Sequence, residues 1–182
     1  MNQDEKTILL KSQLINHWSA QKLYYSISKK HQRNWTVKRG EVYFVDLGEN
    51  IGSEENKIRP VVILQSNAYN FKSPVFTCAI ISTSTPTIPD IQVQITKNYP
   101  YIDNQKQSKT LSGAIDLGQI KTIGKERIVS HKICTLSSEE MNEIDIKIIK
   151  VLGLNQMLSK KDNLIKSLKG KITYLESKLN IH

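Results

Sequence analysis

No run in the 182-residue chain approaches the roughly 18 consecutive apolar residues of a membrane-crossing helix, so no transmembrane span is expected. Cysteine is nearly absent. Cys78 and Cys134 stand far apart in apolar stretches, which points to buried free thiols in a reducing cytoplasm and away from a disulfide scaffold. The histidines, His17, His31, His131 and His182, are scattered without ligand spacing, which argues against a zinc site or a catalytic histidine pair. No metal or other cofactor is expected. The opening MNQDEKTILLKSQL places acids ahead of a short apolar patch and lacks a small-residue cleavage site, so it does not read as a secretory signal. Glycine and proline are missing before Gly40, which leaves the first 35 residues free to be helical. There Leu10, Leu14 and Trp18 recur every four residues, with Ile15 alongside.

Acidic residues are outnumbered. The formal net charge is +9 and the isoelectric point is near 9.5, a balance that favours polyanionic partners such as nucleic acid. The excess sits at the ends. Residues 1–35 carry six Lys/Arg against two acids, and residues 159–182 six against two, leaving 36–158 with 14 against 13. Any RNA contact of the central body must therefore use a local patch.

From Gly40 the periodicity changes. EVYFVDL is β-rich, and RPVVILQS and VFTCAIIS are near-continuous apolar runs of the kind found in central strands. IQVQIT alternates, and LSGAIDL, QIKTI and RIVSHKIC are further short strand candidates. Strands so short and numerous predict a mainly β fold, a small antiparallel barrel or sandwich. Ser137 and Glu140 form a capping-box pattern ahead of a helix with Met141, Ile144, Ile148 and Leu152 on one stripe, which Gly153 is placed to end. Beyond it, Leu158, Lys161, Ile165, Leu168, Ile172, Leu175 and Leu179 follow heptad steps. The expected organisation is a helical extension over 1–35, a barrel domain over 36–153 and a helical, coiled-coil extension over 154–182.

Arg59 stands at the mouth of an apolar strand, in GSEENKIRPVVILQS. Pro60 disfavours helix at the preceding residue, so Arg59 is extended, its stem on the core and its head at the rim. A guanidinium is a planar fork of donors suited to phosphate. Glu54 or Glu55 can lie across the loop from it. Ser82, Thr83, Ser84 and Thr85 sit where the next apolar strand ends. If the two strands are antiparallel neighbours, Arg59 and these hydroxyls share one end of the barrel. Cation, carboxylate and hydroxyl at one rim suit phosphodiester chemistry. Each piece also has a plain reading: an arginine tied to a nearby acid, a solvated SEE loop, an ordinary turn.

The order of these residues is more specific than any one of them. KRGEVYFVDLG, then GSEENKIRPVVILQSN, then SPVFTCAIIS, resembles the MazF/PemK family of toxin endoribonucleases. The likeness continues through LGQIKTIGKERI and CTLSSEEMNEIDIKIIKVLGL and covers about residues 37–153. It implies an SH3-like antiparallel barrel that dimerises and cleaves single-stranded RNA without a metal, the ribose 2′-OH attacking the adjacent phosphate. It implies a catalytic role for Arg59, a supporting role for Glu54, and a catalytic hydroxyl at Ser82 by spacing or Thr83 by residue type. RNA contacts are implied at Gly52, Ser53, Lys57, Gln65, Asn67 and Gln119. Implied partners are a homodimer mate and a cognate, acidic antitoxin, in the cytoplasm and away from membranes. Two rivals remain at this stage: a toxin of the same barrel that poisons a topoisomerase by binding, and an RNA-binding module without cleavage. The N-terminal helix is expected to pack on the barrel or on the C-terminal helix, and the heptad stripe on a partner chain or on the body.

Overall fold

The computed structural model describes residues 2–27, 36–83 and 88–179. Ser84 and Thr85 of the hydroxyl run, and His31 and His182, lie outside the described residues. A long helix α1 (Gln3–Ile27) precedes strands β1 (Glu41–Asp46), β2 (Ile58–Ile63), β3 (Val75–Ser82), β4 (Gln92–Gln94), β5 (Tyr99–Ile102), β6 (Ser108–Leu111), β7 (Ala114–Gly124) and β8 (Cys134–Thr135). A one-turn helix α2 (Asn67–Asn70) joins β2 to β3, and helices α3 (Ser138–Val151) and α4 (Asn155–Leu179) close the chain. Six strands form one curled antiparallel sheet in the order β4-β7-β3-β2-β1-β8, and β5 and β6 make a separate hairpin.

The two apolar runs become β2 and β3, as expected, because a strand buried on both faces needs no polar alternation. Val62, Ala79, Ile81 and Ile115 point to one face, where Ile144 of α3 and Leu136 cover them. Val45, Val61, Cys78, Ile80 and Ile128 belong to a second cluster on the other face. Burial pushes the thiols of Cys78 and Cys134 up to about 12, so both free cysteines stay protonated at neutral pH. The α3 capping box forms: Ser137 Oγ accepts from the Glu140 N–H at 3.3 Å, and the Ser137 N–H donates to Glu140 Oε2 at 3.2 Å.

Two expectations need correction, and a third is narrowed. LSGAIDL and QIKTI are not separate strands: their core is the single 11-residue strand β7. RIVSHKIC is mostly irregular, and only its last residue, Cys134, enters β8. Of the two seats expected for the heptad stripe, a partner chain or the body, the body is not used: every residue of α4 is exposed.

Helix α1 packs on the barrel and not on α4. Its anchor is Trp18, only 8% exposed, whereas Leu10 is open to solvent. The indole lies so close to Gly48 that a Cβ there would approach it to 2.1 Å. The Arg127 guanidinium stacks over the indole, 5.0 Å from the ring centre. Tyr25 donates to Asp46 Oδ2 at 2.8 Å, and Lys11 pairs with Glu49 at 2.9 Å. No helix among the described residues is long and apolar enough to cross a membrane.

Candidate active site

The register of the sheet assembles the site. Val61 of β2 faces Ile80 of β3 in antiparallel pairing. Arg59 and Ser82 lie two residues beyond that last pair, at the same end of the two strands. Between them lies Glu55. Its Oε1 accepts from Ser82 Oγ at 2.6 Å and its Oε2 accepts from Arg59 Nε at 2.9 Å. The Glu55 side chain is 10% exposed and Ser82 is 4% exposed, so this hydroxyl–carboxylate–guanidinium chain is shielded, while the arginine head reaches the rim. Arg59 Nη1 and Nη2 carry no hydrogen bond to any described residue.

The loop is built to hold Glu55 there. Its base is closed by the Leu47 N–H donating to the Lys57 carbonyl at 2.8 Å and the Lys57 N–H donating to the Gly48 carbonyl at 2.7 Å. Asn50 Nδ2 donates to the Glu55 carbonyl at 2.6 Å. Gln119 spans the loop from outside: its Oε1 accepts from the Glu55 N–H at 2.8 Å and its Nε2 donates to the Ser53 carbonyl at 3.2 Å. Gln119 can reach because β7 is bulged here. Thr77 to Cys78 and Ile80 to Ile81 pair regularly, yet opposite the single residue Ala79 stand four, Leu117 to Ile120. A bulge of this kind re-aims side chains beside a site.

The residues singled out from the sequence divide into three groups. Arg59 and Ser82 are brought together, with Ser53 in the loop beside them and Gln119 of β7 bracing that loop. Glu54 is not part of the chain: it is 59% exposed and pairs with Lys121 at 3.0 Å. Its neighbour Glu55 stands in the position expected of it. Thr83 is exposed, next to the cluster but turned away from its buried side. Gly52 and Lys57 are exposed loop residues, both at positive φ, 62° and 63°. Gln65 and Asn67 are not brought to the site. They follow the far end of β2, where Gln65 Nε2 donates to the Val75 carbonyl at 3.4 Å and Asn67 Oδ1 accepts from the Arg39 N–H at 2.7 Å. No group of three or more His, Cys, Asp or Glu is gathered as a metal-ligand set among the described residues.

Sequence reasoning offered the barrel as one seat for α1 but did not place the helix beside Arg59. Leu14, His17 and Gln21 of this helix face Lys57, Ile58 and Arg59 across an open cavity of about 670 Å³. Asp46 and Tyr25 line the same cavity, and burial together with the bond to Asp46 raises the Tyr25 hydroxyl to about 12. Nothing in the local sequence of α1 signals its neighbour, because the contact joins segments some forty residues apart.

Comparison with known proteins agrees with this architecture. Residues 38–152 match the sequence model of the PemK-like, MazF-like toxin of type II toxin–antitoxin system. Endoribonuclease EndoA of Bacillus subtilis (strain 168) is 36% identical over 109 residues, which are 60% of this chain and 88% of the relative. An endoribonuclease from Mycobacterial species, solved in complex with its cognate antitoxin, superposes with a TM-score of 0.51 at 25% identity, over 65% of this chain and 96% of the other. MazF of Deinococcus radiodurans superposes with a TM-score of 0.53 over 65% of this chain and 98% of its own, and at 15% identity it speaks for the fold alone. Helices α1 and α4 fall outside the matched residues. The chain belongs to the PemK-like, MazF-like toxin family of type II toxin–antitoxin systems.

Proposed function

We propose that this protein is a sequence-specific, metal-independent endoribonuclease toxin acting on single-stranded RNA. The observation that carries the reading is the chain Ser82–Glu55–Arg59 at the rim of the barrel, with the open side of the guanidinium facing a cavity. A scissile phosphate seated on Arg59 Nη1 and Nη2 would meet a bidentate fork. The ribose 2′-OH attacks the adjacent phosphorus, the new 2′-O–P bond forms, and the P–O5′ bond breaks to leave a cyclic phosphate and a 5′-OH. Glu55 takes the 2′-OH proton, directly or through Ser82 Oγ, and the leaving oxygen takes its proton from water. Arg59 stabilises the charge that grows on the phosphorane, the role such fixed donors perform best in a partly dehydrated site. Ser82 holds Glu55 in place or orients the attacking hydroxyl.

The protein acts in the cytoplasm as a homodimer, and an antitoxin restrains it. A toxin relative solved with its cognate antitoxin supports the second point. The basic arms and the +9 net charge suit an acidic antitoxin.

The test is incubation of the purified protein with long single-stranded RNA in EDTA. Discrete cuts ending in 5′-OH are expected. Arg59→Ala, shown folded by circular dichroism, should lose on the order of 10²–10³ in rate, the loss that follows removal of a transition-state donor. Arg59→Lys should fail similarly, because an ammonium cannot reproduce the fork. A folded parent protein that leaves RNA intact would remove the endoribonuclease reading, and a topoisomerase-poisoning toxin would take its place.

A further inference from the structure

Helix α1 lies outside the residues matched to the family, yet it forms one wall of the cavity whose opposite wall carries Arg59. Its placement is specific. Trp18 is buried against Gly48, Arg127 stacks on its indole, Tyr25 is bonded to Asp46 and Lys11 to Glu49. A helix fixed at three levels along its length is part of the site's shape.

What α1 turns toward the cavity is not an apolar plug. His17 and Gln21 are one helical turn apart and therefore neighbours on one face. The barrel side of the same cavity carries Lys57 and Arg59, and also Asp46 and Glu49, which are engaged by Tyr25 and Lys11 of α1. The space between, about 670 Å³, is within the range of pockets that hold a small organic group and has room for one nucleotide. An imidazole offers a flat face for stacking, and a glutamine amide presents a donor and an acceptor to a base edge. Lysine and arginine on the opposite wall suit the phosphate of the same nucleotide.

We infer that α1 completes a base-binding subsite beside Arg59, in which His17 and Gln21 hold and read a nucleotide of the RNA flanking the scissile phosphate. This rests on the endoribonuclease reading above and gives α1 a part in choosing where the strand is cut. Single-stranded RNA is recognised by such stacking and edge contacts more than by backbone charge alone.

The experiment compares the full chain with His17→Ala and Gln21→Ala, with docking of α1 checked by the resistance of the helix to trypsin. Cleavage of a randomised RNA pool, sequenced at the cut ends, reads base preference, and steady-state kinetics on one good substrate reads KM against kcat. Each variant should raise KM about tenfold, hold kcat within about twofold, and flatten the preference at one position next to the cut. A docked variant with the parent's KM and preference overturns the subsite. Faster cleavage by either variant also overturns it, since α1 would then be a cover. If the parent cuts no RNA, anisotropy with a 2′-deoxy-substituted oligonucleotide separates the two claims. Binding about tenfold weaker in the variants keeps the subsite while the endoribonuclease reading falls, and equal binding removes both.

Discussion

Glu54 and Glu55 are consecutive in the chain and serve opposite sides of the same loop. Glu55 lies inward between Ser82 and Arg59, and Glu54 lies outward on Lys121. The division is enforced by Gln119, which accepts from the Glu55 N–H at 2.8 Å and donates to the Ser53 carbonyl at 3.2 Å. With the backbone tied on both sides of Glu54, only one of the two carboxylates can face the barrel.

Substitution separates the two acids. Glu55→Gln should lower kcat for RNA cleavage on the order of 10²-fold or more, the usual worth of a positioned general base. Glu54→Gln breaks an exposed ion pair worth about 1 kcal/mol at most and should cost no more than about fivefold. Equal losses in single-turnover assays would contradict the inward position of Glu55.

The hydroxyls separate in the same way. Ser82 is buried on Glu55 and Thr83 is exposed. Ser82→Ala is expected to cost on the order of 10² in rate, and Thr83→Ala only a few-fold. A severe Thr83→Ala with a mild Ser82→Ala would place the working hydroxyl at Thr83.

Docking of α1 can be broken from the barrel side. Gly48 has φ of 74° and sits under Trp18, so a methyl group there is both strained and in collision with the indole. Gly48→Ala should destabilise the docked helix by about 1–3 kcal/mol, the ordinary cost of overpacking. Trypsin should then cut within α1 at a higher rate while the barrel stays resistant. Trp18→Ala should reproduce the effect by removing the anchor.

Acid should loosen the seat of α3. Burial opposes the charge of Glu140, but the Tyr99 hydroxyl and the backbone N–H groups of Thr96, Ser137 and Lys97 outweigh it and hold the carboxyl below its ordinary value. A carboxyl depressed in the folded state adds stability above its unfolded pKa and loses it as pH falls through the folded value. Thermal melts from pH 7 to pH 3 should show Tm falling at the acid end. Glu140→Gln should be less stable at pH 7 by about 1–3 kcal/mol and flatter across that range.

Helix α4 contributes no burial within its own subunit, so removing it should cost the subunit little. A chain ending at Gly153 is expected to keep its Tm within a few degrees and to go on cleaving RNA. Light scattering should still report a dimer if the barrel makes the main contact. A monomer would assign the dimer to the exposed stripe of Ile165, Leu168, Ile172 and Leu175.

What could be read in advance follows the physics of each element. β1, β2 and β3 were legible because continuous apolar runs leave a strand few other places to go. That Arg59 and the hydroxyls after β3 share one end of the barrel followed from antiparallel order, but the choice of Ser82 over Thr83 did not. The β5–β6 hairpin was missed because Tyr99–Ile102 carries a proline and Ser108–Leu111 is polar, so neither shows strand periodicity. The choice between Glu54 and Glu55 was illegible for a different reason. A loop has no period, and the residue that orients this one, Gln119, comes from a bulge 64 positions further on. The role of α1 was hidden likewise: Trp18 announces a buried anchor, but Gly48, which receives it, reads as an ordinary turn glycine.

Because Arg59 and Ser82 belong to hydrogen-bonded neighbouring strands, the sheet itself is the ruler that spaces them. The β2–β3 ladder runs up to Val61 and Ile80, two residues short of each group, so the strands fix where the two side chains start and Glu55 bridges what remains. The geometry of the site is thereby tied to the integrity of two neighbouring strands. Both helical arms lie outside the sheet, whereas opening of the β2–β3 ladder would separate the strands that carry Arg59 and Ser82.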